Sequence, residues 1–236
     1  MNPSIVQLRG TIFLAISIGY SEENKKKYAS LLPGSQVQPV MPPFQVAGMF
    51  LQGQMSMGGP WQLVKDGVSI IFGPNQVDII ENRSNDRINS EKAFVTFCIN
   101  VFSTITREVE YNTRMAYAPL FAMDEDDSFK CNEWWSTMFA SLSQGGASMQ
   151  DINLTYVLKK GLDLNNKKVT LNMHHKIYDG YKYNESHQVL NKSIMINLDI
   201  NTVPQNDIKL EANDVPVFFD KAMKEKERLM KNYFGI

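Results

Sequence analysis

Histidine is the side chain that most readily transfers a proton or binds a metal near neutral pH, and this sequence has three. His174 and His175 are neighbours in a segment of two-residue periodicity, so a strand would point their rings to opposite faces and prevent them from chelating one ion. His175 shares the apolar face, where we expect it in or beside the core, whereas His174 shares the polar face and His187 lies in the polar segment that follows. No carboxylate is spaced to orient these rings, so we predict no metal site. The candidate ligand-binding residues are His174, His175, His187 and Tyr156.

Four consecutive acidic residues at 124–127 could bind a hard cation, which prefers several oxygen ligands. They lack the Asp-x-Asp-x-Asp-Gly spacing of a calcium-binding loop. They also precede a predicted helix, whose N-terminus favours negative charge without any bound ion. We therefore interpret the run as a solvated helix leader, with a cation site as the alternative.

The motifs that hold phosphates or activate nucleophiles are missing from the sequence. Gly58-Gly59-Pro60 has neither the spacing nor the following lysine of a nucleotide-binding loop. No Gly-x-Ser-x-Gly segment occurs, and neither Cys98 nor Cys131 has an activating context. Two cysteines also cannot supply a four-thiolate zinc site. We predict two reduced thiols and no cofactor.

The adjacent pair Trp134-Trp135 is the strongest indication of a binding surface. On one helix these side chains point about 100° apart, so one can be buried while the other lies at an edge. Tryptophan is enriched among the residues that dominate the binding energy of protein interfaces. Met138 and Phe139 follow on the same helix, which then holds more apolar area than one face can bury. These four residues are the predicted interaction surface; the alternative is that both tryptophans complete the core.

Length and composition indicate an ordinary globular protein. The chain has 236 residues, of which 43% are hydrophobic and 21% charged, enough to bury a core. The formal net charge of −1 lacks the basic surplus that supplies much of the affinity for nucleic acid, so a nucleic-acid partner is not expected. The apolar run at residues 11–18 is too short to span a membrane and lacks signal-peptide flanks. We therefore expect a cytoplasmic protein with no membrane contact.

The first half of the chain is patterned as strands followed by a long helix. Ser21 favours a short helix after a first strand at 9–17, and Asp66-Gly67 predicts a tight hairpin. Apolar residues at three- and four-residue spacing predict a helix over 90–109. The other predicted strands are 44–54, 61–64, 68–72 and 76–81.

The second half has a similar order of elements. A strand is predicted at 114–121, and Asn132 is predicted to cap the helix that carries the two tryptophans. Asp214 and Pro216 are start signals for a final helix that reaches residue 233. Between these helices we predict strands at 152–160, 169–178 and 194–200, a turn at Asn165-Asn166 and a polar loop at 181–192.

This order predicts an α+β fold with a curved, mainly antiparallel sheet covered by helices on one side. Residues 1–110 and 111–236 each have the order β-α-β-β-β-α, and we expect the two halves to form one compact unit. Near-identical residues at matched positions are few, so duplication and coincidence are equally good explanations of the similar order. The residues predicted to be buried where the long helices meet the sheet are Phe97, Val101, Phe219 and Leu229.

Three short motifs lie at positions that a known family shares. They are Trp61 before the Asp66-Gly67 hairpin, Arg114-Met115-Ala116-Tyr117 after the long helix, and Leu198-Asp199-Ile200 before the final helix. Through them and its element order, the chain resembles a sporadically distributed, uncharacterised family of bacterial proteins of about this size. The resemblance covers most of the chain at the level of architecture, although residues 114–117 depart from that family's longer strand signature. It implies a fold and no activity.

A well-patterned fold without a convergent polar site favours a non-catalytic role. We expect a protein-interaction or assembly protein of a bacterium or its mobile elements, whose partner is a second copy of the chain or another protein. The alternative is a ligand- or nucleotide-binding module with a pocket between sheet and helices; an enzyme of unrecognised type comes third. A homodimer would use the tryptophan helix or a sheet edge, because an open sheet leaves unpaired N–H and C=O groups.

Overall fold

A computed structural model of the chain describes residues 3–40, 57–82, 91–139, 152–183, 189–205 and 207–234. The helices within these residues are α1 (Glu22–Tyr28), α2 (Glu91–Glu108), α3 (Cys131–Met138) and α4 (Asp214–Phe234), and a 3-10 turn at Ala29–Leu31 extends α1. The strands are β1 (Ser4–Leu14), β2 (Gln36–Pro39), β3 (Trp61–Lys65), β4 (Val68–Phe72), β5 (Gln76–Asn82), β6 (Asn112–Tyr117), β7 (Leu120–Asp124), β8 (Asn153–Leu164), β9 (Lys167–Tyr183) and β10 (Val189–Thr202).

These strands form one sheet, and every pairing in it is antiparallel. The order is β2-β3-β4-β5-β1-β6-β10-β9-β8, and β7 pairs with both β1 and β10. From the central β1–β6 pair, strands of the first half extend to one side and strands of the second half to the other. The predicted α+β class with a large antiparallel sheet is therefore confirmed.

Two tight hairpins occur where the sequence predicts them. Asp66 and Gly67, with φ of 48° and 81°, join β3 to β4. Asn165 and Asn166, with φ of 46° and 70°, join β8 to β9. Positive φ at both central residues gives the turn a twist that matches the flanking strands, and glycine and asparagine adopt that conformation at little cost.

Some strand boundaries differ from the prediction. The strand expected at 114–121 is interrupted at Ala118-Pro119, because Pro119 has no N–H for the ladder. Arg9 still exchanges backbone hydrogen bonds with Ala118, at 3.2 and 2.8 Å, so β6 and β7 occupy one position in the sheet. The polar loop expected at 181–192 is shorter, since β9 extends to Tyr183 and β10 begins at Val189. β2 was not predicted, and the strand predicted at 44–54 lies outside the described residues.

The helices cover one face of the sheet. Side chains alternate along β1, and Leu8, Gly10 and Ile12 point toward the helices. A β-carbon added at Gly10 would lie 2.9 Å from Cys98 Sγ and 3.0 Å from the Phe102 ring. A residue without a side chain at this position therefore lets α2 approach β1 closely.

The apolar stripes of α2 and α4 form the centre of the core. Val101, Phe219 and Leu229 are buried as predicted, and Phe102 stacks on Phe219 with ring centroids 5.9 Å apart. Phe97, which we expected to be buried with them, is only half-buried. It lies five residues before Phe102 and so points about 140° away from it, toward the margin of the helix interface.

A charged residue in the apolar stripe of α4 is buried and paired. Lys226 Nζ donates to Glu91 Oε2 at 2.7 Å, and these side chains are only 9% and 14% exposed. The hydroxyl of Tyr117 donates to the other oxygen of the same carboxylate. Since a buried charge requires a partner, this pair fixes α4 against α2 and β6.

The opposite face of the sheet is polar near its centre. Asp78 accepts hydrogen bonds from Arg9 Nε and Nη2, at 3.0 and 2.9 Å, and from the Thr11 hydroxyl at 2.5 Å. The guanidinium of Arg114 lies over the ring of Phe13, 4.8 Å from its centroid. These interactions join β5, β1 and β6 on the face that the helices leave uncovered.

Candidate functional site

An open cleft of about 610 Å³ lies between α3 and α4. Its volume is in the range of about 300–1,000 Å³ that is typical of sites for small molecules. No charged side chain is among its described lining residues, so the cleft suits an uncharged group. Met123, Phe129, Trp134 and Met138 form the apolar part of the wall, and Ser128, Thr137, Asn232 and Tyr233 form the polar part.

The acidic run positions the start of α3. The Glu125 carboxylate accepts a hydrogen bond from the backbone N–H of Cys131, the first residue of the helix, at 2.9 Å. Asp126 accepts from the backbone N–H and the hydroxyl of Ser128, at 2.7 and 2.9 Å, and these hydrogen bonds lower the pKa of Asp126. The carboxylates thus accept hydrogen bonds from N–H and O–H groups of the loop and of the helix start. This arrangement fits the interpretation of the acidic run as a leader to the helix.

Asn132 does not cap α3 as we predicted. Lys130 is the N-cap residue and its side chain makes no capping hydrogen bond, so Glu125 supplies the acceptor instead. Asn132 Oδ1 accepts from Lys192 Nζ at 2.9 Å. Capping rules consider residues next to the helix start, and they miss a carboxylate that the preceding loop folds back to it.

The two adjacent tryptophans have different environments. Trp135 is fully buried, and its indole N–H donates to Asp179 Oδ1 on β9 at 2.7 Å. Trp134 is half-buried, contacts Trp135 edge to face and lines the cleft. Of the other two predicted interaction residues, Met138 lines the cleft with 36% of its surface exposed, whereas Phe139 stacks on Trp135. The burial of Trp135 therefore removes it from the surface that a partner could contact.

The carboxylate of Asp179 anchors α3 to the sheet. It is almost completely buried and pairs with Lys192 Nζ at 3.2 Å. It also accepts from the backbone N–H of Ile152 at 3.3 Å. With Trp135 as a third donor, this one side chain joins α3 to β9, β10 and the start of β8, and so determines where Trp134 lies.

His175 and Tyr156, predicted as ligand-binding residues, lie side by side under α4. Their rings are stacked with centroids 4.4 Å apart and planes 9° apart. The hydroxyl of Tyr233 on α4 is within hydrogen-bond distance of both His175 Nδ1 and the Tyr156 hydroxyl. His174 is exposed on the opposite face, as the alternation predicts, and His187 lies outside the described residues.

The environment of His175 keeps its ring neutral at pH 7. Burial, together with the nearby positive charges of Arg228 and His174, lowers the pKa of His175 to about 4. Burial and the hydrogen bond with Tyr156 raise the pKa of Tyr233. Nε2 of His175 is buried without a hydrogen-bond partner. The neutral ring can therefore exchange a hydrogen bond with Tyr233, but it carries no positive charge with which to attract an anion.

Tyr233 joins the two sets of residues that the sequence singled out. It contacts His175 and Tyr156 and also forms part of the cleft wall beside Trp134 and Met138. The sequence alone places Tyr233 only at the end of the predicted final helix. A tyrosine at the end of such a helix is a usable signal, because a buried tyrosine hydroxyl usually has a hydrogen-bond partner.

The two cysteine thiols are poorly suited to act as nucleophiles. Cys98 and Cys131 are free and buried; burial raises the pKa of Cys98 well above its usual value and that of Cys131 to about 12, which disfavours the thiolate. No group of three or more His, Cys, Asp or Glu side chains in the described ranges could hold a metal ion.

No protein-family model matches the chain, and a search of curated proteins finds no similar sequence. Among the described helices, none combines the length and apolar character needed to cross a membrane.

Proposed function

We propose that the chain is a non-catalytic interaction protein that takes an apolar side chain of a partner protein into the α3–α4 cleft. The observation that carries this proposal is the wall formed by Trp134 and Met138, which remain accessible although α3 is anchored in the core. We also propose that it acts in the cytoplasm, where the free thiols of Cys98 and Cys131 would stay reduced.

The composition of the wall supports a protein partner. Tryptophan and methionine are enriched in interface cores, and charged residues are depleted there. The flexible, polarisable side chain of Met138 can adapt to the shape of an inserted group. A nucleotide is a poorer occupant, because the described wall offers no lysine or arginine to its phosphates.

A displayed library of random peptides tests this proposal. We expect selection on the intact chain to enrich peptides that share one aromatic or aliphatic residue. Met138→Lys should weaken the selected peptides by more than about tenfold, because it places a charge in an apolar site, and Trp134→Ala should weaken them similarly.

Met57→Lys is the matched control, since Met57 is 75% exposed and lies outside the cleft wall. It should leave the affinity for the same peptides unchanged. Peptides that bind wild type and Met138→Lys equally well would show that the cleft is not their site, and would contradict the proposal.

A small organic molecule is the second candidate occupant. The volume of the cleft favours it, as does the polar hydroxyl of Tyr233 in its wall, which contacts His175 and Tyr156 behind the wall. A fragment library screened by Trp fluorescence and proton NMR would test this function. Fragments that bind wild type, lose affinity in Tyr233→Phe and are accompanied by no selected peptide would favour the small-ligand function over the protein partner.

A further inference from the structure

The two ends of the sheet differ in how they are protected. At one end β2 has four residues and finishes at Pro39. At the other end β8 has 12 residues, no proline and an unbroken register with β9 from Asn153 to Leu164. No strand in the described chain pairs with the outer side of β8. A long, regular edge strand is the kind that natural proteins usually cover or pair.

The outward-pointing backbone groups of β8 can be identified from its register. The N–H of Asp179 donates to the carbonyl of Ile152 at 3.1 Å, so this facing pair is hydrogen-bonded. Hydrogen-bonded and non-hydrogen-bonded pairs alternate along an antiparallel ladder, so the even-numbered residues of β8 bond to β9. The odd-numbered residues, with Val157 at the middle of 153–161, point their N–H and C=O groups away from the sheet.

Apolar side chains are exposed on both faces of this edge. Leu158 is 40% exposed on the helix-covered face, and Val157 is 42% exposed on the uncovered face. Both lie at the centre of the strand. A strand added beside β8 would cover both side chains at once, whereas a helix packed on either face would cover only one.

We propose that β8 pairs antiparallel with β8 of a second copy of this chain, with the two-fold axis passing through Val157. In this register Val157 faces its own copy as a hydrogen-bonded pair, and Tyr156 faces Leu158 of the partner. The odd-numbered residues of 153–161 then all face odd-numbered residues, so every outward N–H meets an outward C=O. The pairing extends one sheet across two chains.

The charges of the strand are compatible with this register and disfavour an axis at Lys159. Lys159 and Lys160 are the charged residues of 153–161. The axis at Val157 places Lys159 opposite Thr155 and Lys160 opposite Leu154. The two Lys159 side chains are then four residues apart along the ladder, about 14 Å, which exceeds the screening length of about 8 Å at physiological salt. An axis at Lys159 would place these lysines face to face and oppose pairing.

The side chains of β8 are compatible with those of a second β8 strand, which favours a second copy of the chain over a different protein as the partner. Lys160 already pairs with Glu225 on α4, so its charge needs no acidic group from a partner. The remaining side chains from Asn153 to Val157 are uncharged, and they are the ones that face the partner's Val157 to Gly161. Such an isologous contact closes after two chains and does not continue into a fibre.

Light scattering during size exclusion tests the association. We expect twice the chain mass of 26.9 kDa for the wild type. Val157→Pro should give a single-chain mass or weaken the dimer by more than about tenfold, since it removes an outward N–H that only the second copy uses. Circular dichroism should show that this variant keeps its fold.

Leu158→Pro is the matched variant for backbone direction. Its N–H points to β9, so it should lower the melting temperature, whereas Val157→Pro should change the melting temperature of the monomer much less. A single-chain wild-type mass across a wide concentration range, or a dimer that survives in folded Val157→Pro, would overturn the proposal.

Cysteine crosslinking tests the register. Val157→Cys should form a disulfide-linked dimer on mild oxidation, since facing α-carbons of a hydrogen-bonded pair are about 5.5 Å apart, within disulfide reach. Lys159→Cys should not crosslink to its own copy. Crosslinking at position 159 without crosslinking at 157 would contradict the axis at Val157.

Discussion

Trp135 and Asp179, 44 positions apart in the chain, are joined by a hydrogen bond of 2.7 Å from the indole N–H to a buried carboxylate. The carboxylate also pairs with Lys192 and accepts from the backbone of Ile152. Through this relationship a helix of only eight residues is held firmly on the sheet. Because Trp135 anchors α3, its burial also determines where the adjacent residue Trp134 lies in the cleft wall.

Replacing the buried tryptophan should destabilise the protein far more than replacing its neighbour. Trp135→Ala removes a fully buried ring and leaves Asp179 without one donor, so we expect the free energy of unfolding to fall by about 3–5 kcal/mol. Trp134→Ala removes a half-buried ring that lines the cleft and should cost markedly less. Urea unfolding followed by circular dichroism measures both; equal losses would mean that the two rings contribute alike to the core.

Adding one methyl group should have different effects on stability at two glycines. Gly10→Ala would bring its β-carbon to 2.9 Å from Cys98 Sγ and 3.4 Å from Phe219, so we expect a loss of about 1–3 kcal/mol in the free energy of unfolding. Gly161→Ala is the control: it meets no atom within 4 Å, and it should be neutral or slightly stabilising because it reduces the entropy of the unfolded chain. Thermal and urea unfolding would show the contrast, and a well-tolerated Gly10→Ala would contradict the close α2–β1 approach.

The Glu91–Lys226 pair should behave as a buried ion pair in a double-mutant cycle. Lys226→Met leaves the Glu91 carboxylate without its ammonium group, so we expect a loss of about 3–5 kcal/mol. The double variant Glu91→Gln with Lys226→Met removes both charges and should be more stable than the sum of the two single losses predicts. Additive losses in urea unfolding would show that the two charges do not interact in solution.

Stability should decrease as the pH falls below 6.5. The folded chain lowers the pKa of His175 from its ordinary 6.5 to about 4, so between these values the unfolded chain binds a proton that the folded chain does not. Well above pH 6.5 the ring is neutral in both states, and the free energy of unfolding keeps its full value. Between pH 6.5 and about 4, protonation of the unfolded chain lowers the free energy of unfolding by up to about 1.4 kcal/mol per pH unit. Urea unfolding at pH 7 and pH 5 should show a smaller difference for His175→Gln than for wild type.

Tyr156→Phe is the control for this pH dependence, because it keeps the histidine and the stacked ring. It should retain the wild-type difference between the two pH values. If His175→Gln shows the same difference in free energy of unfolding between pH 7 and pH 5 as the wild type, the pH dependence arises from other groups.

The sequence by itself determined features that depend on neighbouring residues. Ser21 caps α1, accepting from the backbone N–H of Asn24 at 2.9 Å, because this motif lies within four residues. Asp66-Gly67 forms its hairpin because positive φ is a local property of those two residues. Periodicity located α2, and the start signals Asp214 and Pro216 located α4. The two-residue period also separated the faces of His174 and His175, because side-chain direction in a strand follows from the period alone.

The tertiary structure decided which residues lie opposite one another. Period alone gave Trp134 and Trp135 an angle of about 100° between them but did not say which would face Asp179. Glu125 replaced the expected cap Asn132 because a loop brought it back to the helix start. Such outcomes depend on the path of the loop and on the order of the strands, which neighbouring residues do not encode.

The candidate site also shows which features local sequence determines and which the tertiary structure determines. Tyr233 meets His175 from 58 positions away and Tyr156 from 77 positions away, and the same residue forms part of the cleft wall with Trp134. The sequence identified His175, Tyr156 and Trp134 as candidate binding residues, but not Tyr233. Their meeting required α4 to lie across β8 and β9, and many possible arrangements of the same strands and helices satisfy the same apolar periodicity. The packing of the whole core, and not any local pattern, selects among them.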